Sequence, residues 1–213
     1  MERYFAIGDI HGYLDKLLTL MDRLDIHWGQ DTVVFIGDYI DRGPDSKQVV
    51  EYVMGLRKEH ESVVCLKGNH EEMFLNYLDR REEQIFLSNG GRNTLQSYGI
   101  LPDEKDRRAK MPPEHLQFFE ALIPCYETED YVFVHAGVRP GIPMQLQDPF
   151  DLIWIRHEFY MSHHGLKKTV IFGHTPFRAE PFVGDKMIGI DTGAAYGGML
   201  TCLELPAMKF HQV

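Results

Sequence analysis

The sequence predicts an α/β fold, and three features carry that prediction. Five short apolar runs of strand type each stop at a residue able to bind a metal. Helical spacing fills the gaps between the first three. Short strand-like runs separated by turn residues dominate from Pro124 onward.

Tyr4–Ile7 runs into Gly8-Asp9-Ile10-His11, and Val33–Ile36 into Gly37-Asp38. Val63–Lys67 runs into Gly68-Asn69-His70, Val132–Val134 into His135, and Val170–Phe172 into Gly173-His174. Runs this short, apolar and β-branched read as buried strands. Four of the five place a glycine before the polar residue, which lets the chain turn sharply out of a sheet. In α/β folds, active sites gather at this edge, outside the carboxyl ends of the strands.

Between the first runs, Leu14, Leu17, Leu18, Met21 and Leu24 follow 3.6-residue spacing. Val49, Val50, Val53 and Leu56 do the same, with Ser46 near the N-cap after Pro44. Strand–helix–strand–helix–strand is a βαβαβ unit with parallel strands. Glu71–Tyr98 reads as helix broken at Asn89-Gly90-Gly91. Asp103–Lys110 reads as a charged loop, and Pro112-Pro113 precedes a short helix around His115–Leu122. Residues 76–122 are therefore expected to form a small helical cap above the sheet edge. Ala179–Val183, Met187–Ile190, Met199–Leu205 and Lys209–Val213 read as short strands and predict a second, mostly antiparallel sheet. No linker divides the chain, so residues 1–213 are expected to form one domain.

The 213 residues suffice for one sizeable core, and 44% hydrophobic with 25% charged residues is ordinary for a soluble protein. The N-terminal stretch lacks the long apolar segment of a signal peptide. No apolar run approaches the ~20 residues that span a bilayer. Cys65, Cys125 and Cys202 are an odd number inside apolar runs, and read as reduced thiols of a cytoplasmic protein. A net charge of −10 argues against nucleic acid as the partner. It also means that a phosphate substrate needs a locally positive site, which metal ions would supply.

Asp9 and His11 are two residues apart, so in extended backbone both point the same way and can grip one ion. Asp38 ends the next strand, ~4.8 Å away, and its two oxygens can bridge two cations. Asn69, His135 and His174 offer a second set of ligands. Mixed Asp/His/Asn ligation suits manganese, with iron or zinc as alternatives, better than magnesium or calcium. His27, His60, His115, His157, His163, His164 and His211 lie in helical or loop contexts and read as structural. Arg42 and Arg156 are suited to hold phosphate oxygens bidentately. Two dications and two arginines outweigh Asp9, Asp38 and a hydroxide by roughly +3, which answers the acidic background.

Gly8-Asp9-Ile10-His11-Gly12, Gly37-Asp38-Tyr39-Ile40-Asp41-Arg42-Gly43 and Gly68-Asn69-His70-Glu71 resemble the three signature motifs of the phosphoprotein phosphatase family. His135-Ala136-Gly137 and Gly173-His174-Thr175 resemble its two later histidine motifs. The resemblance runs from about Tyr4 to about Gly198. Asn89-Gly90-Gly91, Ile153-Trp154-Ile155-Arg156 and Ile190-Asp191-Thr192-Gly193-Ala194 look most like the bacterial and bacteriophage-lambda branch. The resemblance implies two mixed β-sheets packed as a sandwich, flanked by helices. It implies a first metal on Asp9, His11 and Asp38, and a second on Asp38, Asn69, His135 and His174. It makes His70 the general acid, oriented by Asp41, with Arg42, Arg156 and Asn69 at the phosphate.

The activity this implies is serine/threonine protein phosphatase, working by in-line attack of a water activated between two metals. The partner is then a phosphorylated protein or small phosphoester, with no membrane partner. Regulatory subunits are not implied, because the long extensions of the eukaryotic members are absent. Dinucleoside polyphosphate hydrolases, such as the symmetrical bis(5'-nucleosyl)-tetraphosphatases, share the core motifs and are the alternative. A non-catalytic scaffold of the same fold would have lost ligand positions, and here all are filled.

Overall fold

A computed structural model describes residues 2–101, 103–178 and 180–213; Met1, Pro102 and Ala179 lie outside the described residues. Side chains on successive strand residues point to opposite faces, and here both faces are apolar. Along β1 (Tyr4–Ile7), Phe5 and Ile7 pack toward helices while Tyr4 and Ala6 pack toward a second sheet. Along β2 (Thr32–Phe35), Val33 and Phe35 take the helix side and Val34 the inner side. In the second sheet, Phe133 and Ile171 meet that inner core, and Val132, Val134, Val170 and Phe172 face outward to other helices. The result is four layers: helices, sheet, sheet, helices.

The first sheet runs β10 (Lys209–Gln212), β9 (Thr201–Leu205), β1, β2, β3 (Val63–Cys65). The parallel trio β1–β2–β3 is the expected βαβαβ unit. β9 pairs antiparallel with β1, placing Tyr4 opposite Leu205. The second sheet runs β4 (Cys125–Glu127), β5 (Tyr131–Val134), β6 (Thr169–Phe172), β8 (Met187–Gly189), β7 (Phe182–Gly184). Of the expected strand Ala179–Val183, the first residue lies outside the described residues.

This second sheet corrects the sequence expectation. It is not mostly antiparallel: β5, β6 and β8 are parallel, and only the edge strands β4 and β7 run against them. The chain from β5 to β6 includes α7 (Pro149–Trp154) and α8 (His157–Tyr160), which pack on the outer face as a crossover. Helices this short show no usable 3.6-residue period. The last two strands belong to the first sheet rather than the second.

In α1 (Leu14–Arg23), Leu17 and Leu20 are buried and Leu18 is exposed, so the buried stripe is narrower than the leucine spacing implied. α2 (Ser46–Glu59) buries Val49, Val50 and Val53 as expected. Its N-cap residue is Asp45 rather than Ser46, whose hydroxyl is turned inward, away from the helix end. α3 (Asn69–Leu78) is followed by α4 (Glu83–Phe86), then a wide turn, Leu87–Gly91, that breaks the helix at Gly90 with φ +95. α5 (Arg92–Tyr98) and α6 (Pro113–Glu120) complete the block. Phe74, Tyr77, Phe86, Leu95, Phe118 and Phe119 from these helices share one core with α1, α2 and the first sheet. In the charged loop, Arg107 is buried, donating to the Tyr77 carbonyl at 2.9 Å and to Glu83 at 2.8 Å. Among the described residues no helix is long and apolar enough to cross a membrane. All three cysteines are free, and burial pushes the Cys65 thiol up to about 12.

Candidate metal centre and active site

Asp9 and His11 follow β1, and Asp38, Asp41 and Arg42 follow β2. Asn69 and His70 open α3 just after β3. His135 follows β5, Arg156 lies between α7 and α8, and His174 follows β6. The ends of five parallel strands, three from one sheet and two from the other, therefore deliver the expected residues except Arg156 to one seam. Three of the four glycines before them serve a purpose other than the expected freedom to turn. Of Gly8, Gly37, Gly68 and Gly173, only Gly37 uses positive φ. The others are required by close approach: a Cβ on Gly68 would lie 2.2 Å from Asp38 Oδ1, and one on Gly173 would lie 2.1 Å from Asp9 Oδ1.

Asp38 is the hub. His11 Nε2 lies 3.4 Å from its Oδ2, His135 Nε2 3.3 Å from its Oδ1, and His70 Nε2 3.8 Å from Oδ2. The tautomers follow from the other ring nitrogens. His11 Nδ1 is 2.9 Å from the Ile40 carbonyl, and His135 Nδ1 is 2.9 Å from the Ile36 carbonyl. A carbonyl only accepts, so each Nδ1 carries the proton and each Nε2 turns a lone pair toward the carboxylate. His135 Nε2 also faces Asn69 Oδ1 at 3.0 Å. His174 Nε2 is buried without a hydrogen-bond partner among the described residues. Lone pairs converging on carboxylate oxygens, and an orphaned imidazole nitrogen, are what cations would satisfy. His11, Asp38 and His70 form one group able to hold an ion, and Asp38, His135 and His174 another, with Asp38 common to both. The donors, imidazole and carboxylate with an amide oxygen beside them, fit divalent transition metals.

Asp9 is not in either triple; both of its oxygens accept from the His174 backbone N–H, at 3.0 and 3.2 Å. Burial first, and then the Asp191 and Asp38 carboxylates, hold Asp9 well above its ordinary range. Burial, reinforced by Asp38 and opposed by the Gly193 N–H, pushes Asp191 up to about 6. Burial also acts to raise Asp38, but the imidazoles around it, His135 foremost, draw it below its ordinary value. Three carboxylates buried together call for positive charge.

The backbone is strained at this same place. Among the described residues nine non-glycine residues have positive φ, and His11, Asp38, Asp41, Arg42 and His174 are five of them. Such conformations cost of the order of 1–3 kcal/mol each and persist where surrounding structure over-determines them. Glu71 supplies part of that restraint. It is fully buried and accepts from the backbone N–H groups of Asp38, Tyr39 and Gly68 at 2.9–3.0 Å.

His70 and Asp41 form a buried pair, with Nδ1 to Oδ2 at 2.6 Å. Burial lowers the imidazole pKa, but the Asp38 and Asp41 carboxylates outweigh it, and His70 ends above its ordinary value. The Arg42 guanidinium donates to His11 Nε2, so a positive charge faces that lone pair. It also lies 5.1 Å from the centre of the Tyr196 ring, which is half exposed and has Arg178 5.9 Å from it. Arg156 is half buried, and its charge adds to burial in lowering His135 and His174. The histidines read as structural are engaged elsewhere: His115 with Tyr98, His164 with the Lys186 carbonyl, His211 with Glu204, His60 stacked on Trp28.

Sequence reasoning missed Glu71, Thr94, Asp191 and Tyr196 as contributors to this region. Glu71 had a readable signal, an acid three residues beyond a helix-capping glycine. Thr94 had none, since only the fold carries it to Asp41.

Comparison with known proteins agrees with this geometry. The model of the calcineurin-like phosphoesterase family matches residues 3–194. The chain belongs to that family. Members use a dinuclear divalent metal centre and are hydrolases, which the two residue triples accommodate. The asymmetrical bis(5'-nucleosyl)-tetraphosphatase PrpE of Bacillus thuringiensis (strain Al Hakam) is 28% identical over 97% of this chain and 92% of its own. A solved structure of a candidate diadenosine tetraphosphatase superposes with a TM-score of 0.77 at 22% identity, covering 99% of this chain and 92% of that one. A serine/threonine phosphatase from Saccharomyces cerevisiae superposes with a TM-score of 0.65 at 16% identity, covering 99% and 79%. The two structural likenesses establish the fold.

Proposed function

We propose that this family member hydrolyses phosphate monoesters on protein side chains. The observation that carries the reading is the buried Asp41–His70 pair beside the metal-binding groups. A serine or threonine alkoxide is a poor leaving group and needs a proton. An imidazole whose proton is held more tightly by the Asp38 and Asp41 carboxylates is suited to give one. Asp9, His11, Asp38, Asn69, His135 and His174 would hold the two divalent ions, manganese foremost. When bound, such ions supply Lewis acidity and an activated water. Arg42 and Arg156 bind and orient the phosphate oxygens, and Asp41 keeps His70 in the donating orientation.

A second reading has its own support. The half-exposed Tyr196 ring, with Arg42 and Arg178 both near it, is a surface on which a nucleobase could stack with a second phosphate nearby. The Bacillus relative is named for dinucleoside tetraphosphate cleavage. A panel run with manganese separates the readings: phosphoserine, phosphothreonine and phosphotyrosine peptides, a dinucleoside tetraphosphate and p-nitrophenyl phosphate. The first reading expects the highest kcat/KM on a phosphopeptide. A clear preference for the dinucleotide would replace it with the second.

Arg42→Ala and Arg156→Ala are expected to lower kcat/KM by about 10²-fold each, the usual loss for one charged contact to a transition state. Neither should change the fold, which circular dichroism would check. Wild-type kcat/KM in either variant would remove that arginine from the site.

A further inference from the structure

Asn89-Gly90-Gly91 has no role in the reaction as described so far, yet the segment it opens lies against the acid pair. Arg42 N donates to the Gly90 carbonyl at 3.2 Å, and the Asn93 amide donates to the Arg42 carbonyl. A Cβ on Gly90 would lie 2.8 Å from Arg42 N, so the approach is as close as backbone allows. One turn further on, the Thr94 hydroxyl lies 2.5 Å from Asp41 Oδ1. The same hydroxyl oxygen is 2.9 Å from Asp41 N and 3.0 Å from Ser46 Oγ. Thr94, Ser46 and Asp41 are fully buried, and His70 nearly so.

Proton bookkeeping fixes the direction of these bonds. Asp41 Oδ1 only accepts, so the single Thr94 hydroxyl proton goes there. Ser46 then donates to Thr94 Oγ1, and the Asp41 N–H is shared between the two hydroxyls. Asp41 Oδ2 remains for His70 Nδ1. Each carboxylate oxygen thus has one committed donor, and the carboxylate plane is fixed from the side opposite His70. Asp41 and Arg42 both sit at positive φ, at +73° and +66°, a conformation that needs such restraint.

We infer that Thr94 is a positioning residue of the reaction, the third member of a Thr94–Asp41–His70 relay in which Ser46 orders the threonine. It acts through Asp41, holding the carboxylate so that the His70 ring presents its other nitrogen to the leaving group. The inference rests on the phosphomonoesterase reading. It also gives the 90–94 segment a purpose: the helical block between β3 and β4 supplies one end of the catalytic hydrogen-bond chain.

The test is Thr94→Val, which keeps the shape and removes the hydroxyl, with Thr94→Ser as the restoring variant. Each is compared with wild type on a phosphoserine peptide and on p-nitrophenyl phosphate. The relay expects kcat on the phosphopeptide to fall about 10–100-fold, the scale of losing a partner that orients a functional group. The fall on p-nitrophenyl phosphate should be several-fold smaller, because nitrophenolate leaves without a proton. Thr94→Ser should recover most of the loss. In proton NMR, the downfield His70 Nδ1–H resonance should move in Thr94→Val and return in Thr94→Ser. Ser46→Ala should show the same leaving-group selectivity in weaker form, which keeps the test open if Thr94→Val does not fold. Equal loss on both substrates, or an unmoved resonance, overturns the relay while leaving the phosphatase reading intact. A wild-type protein inactive on both substrates overturns both.

Discussion

Asp38→Asn is expected to abolish hydrolysis and to release metal from both positions at once. Among the described residues Asp38 is the only one common to the two groups able to hold an ion, and its two oxygens face different histidines. The substitution removes one charge and turns one acceptor oxygen into an amide NH₂ that can only donate. That donor would point at an imidazole lone pair and exclude a cation from it. The loss in kcat/KM should exceed the about 10²–10³-fold typical of deleting one transition-state contact. A change confined to one position, as in His174→Asn, should cost less and leave one ion bound. The measurement is metal content per chain after gel filtration, with kcat/KM beside it. Two tightly held ions in an active Asp38→Asn protein would end the shared-ligand assignment.

His70→Asn is expected to separate substrates by their leaving groups. A general acid matters in proportion to how badly the departing oxygen needs a proton. Hydrolysis of a phosphoserine peptide should slow by about 10²–10⁴-fold, and that of p-nitrophenyl phosphate by much less. Asp41→Asn should show the same selectivity more weakly, since it leaves the imidazole in place but without its carboxylate. The geometry makes the competing role concrete, because His70 Nε2 lies 3.8 Å from Asp38 Oδ2, within one of the two metal-binding groups. If His70 were a ligand, metal content would fall and both substrates would suffer equally. Unchanged metal content together with unequal loss, in single-turnover measurements, identifies the acid.

Much of this arrangement was legible because its signals are local. A β-branched run, a glycine and a ligand-type residue are adjacent in sequence, so all five strand ends could be read directly. What escaped was non-local or too short. α7 and α8 have six and four residues, and without them the second sheet looked antiparallel. Gly68 and Gly173 were read as turn-makers, because nothing local reveals that a carboxylate from another strand would touch their Cβ. Ser46 looked like a cap because it follows Pro44. Its hydroxyl is drawn instead to Asp41 and to Thr94, which is 48 residues away. Leu18 fitted the helical period yet faces solvent, since the period defines a stripe without fixing its width.

The seam between the sheets also bears on how the chain reaches its active form. The His174 amide meets Asp9 across 165 residues, and His135 meets the Ile36 carbonyl across 99. Contacts this distant carry a large loop-closure cost, because a long loop must be ordered before any pairing rewards it. The parallel trio β1–β2–β3 can assemble from the first third of the chain, carrying Asp9, His11 and Asp38 with it. The remaining imidazoles, His135 and His174, follow β5 and β6 in the second sheet. Ligands for one end of the cluster come from the first sheet alone, whereas the second group is complete only when the two sheets are closed on each other. A chain cut before β5 would carry Asp9, His11, Asp38, Asn69 and His70 and lack both His135 and His174.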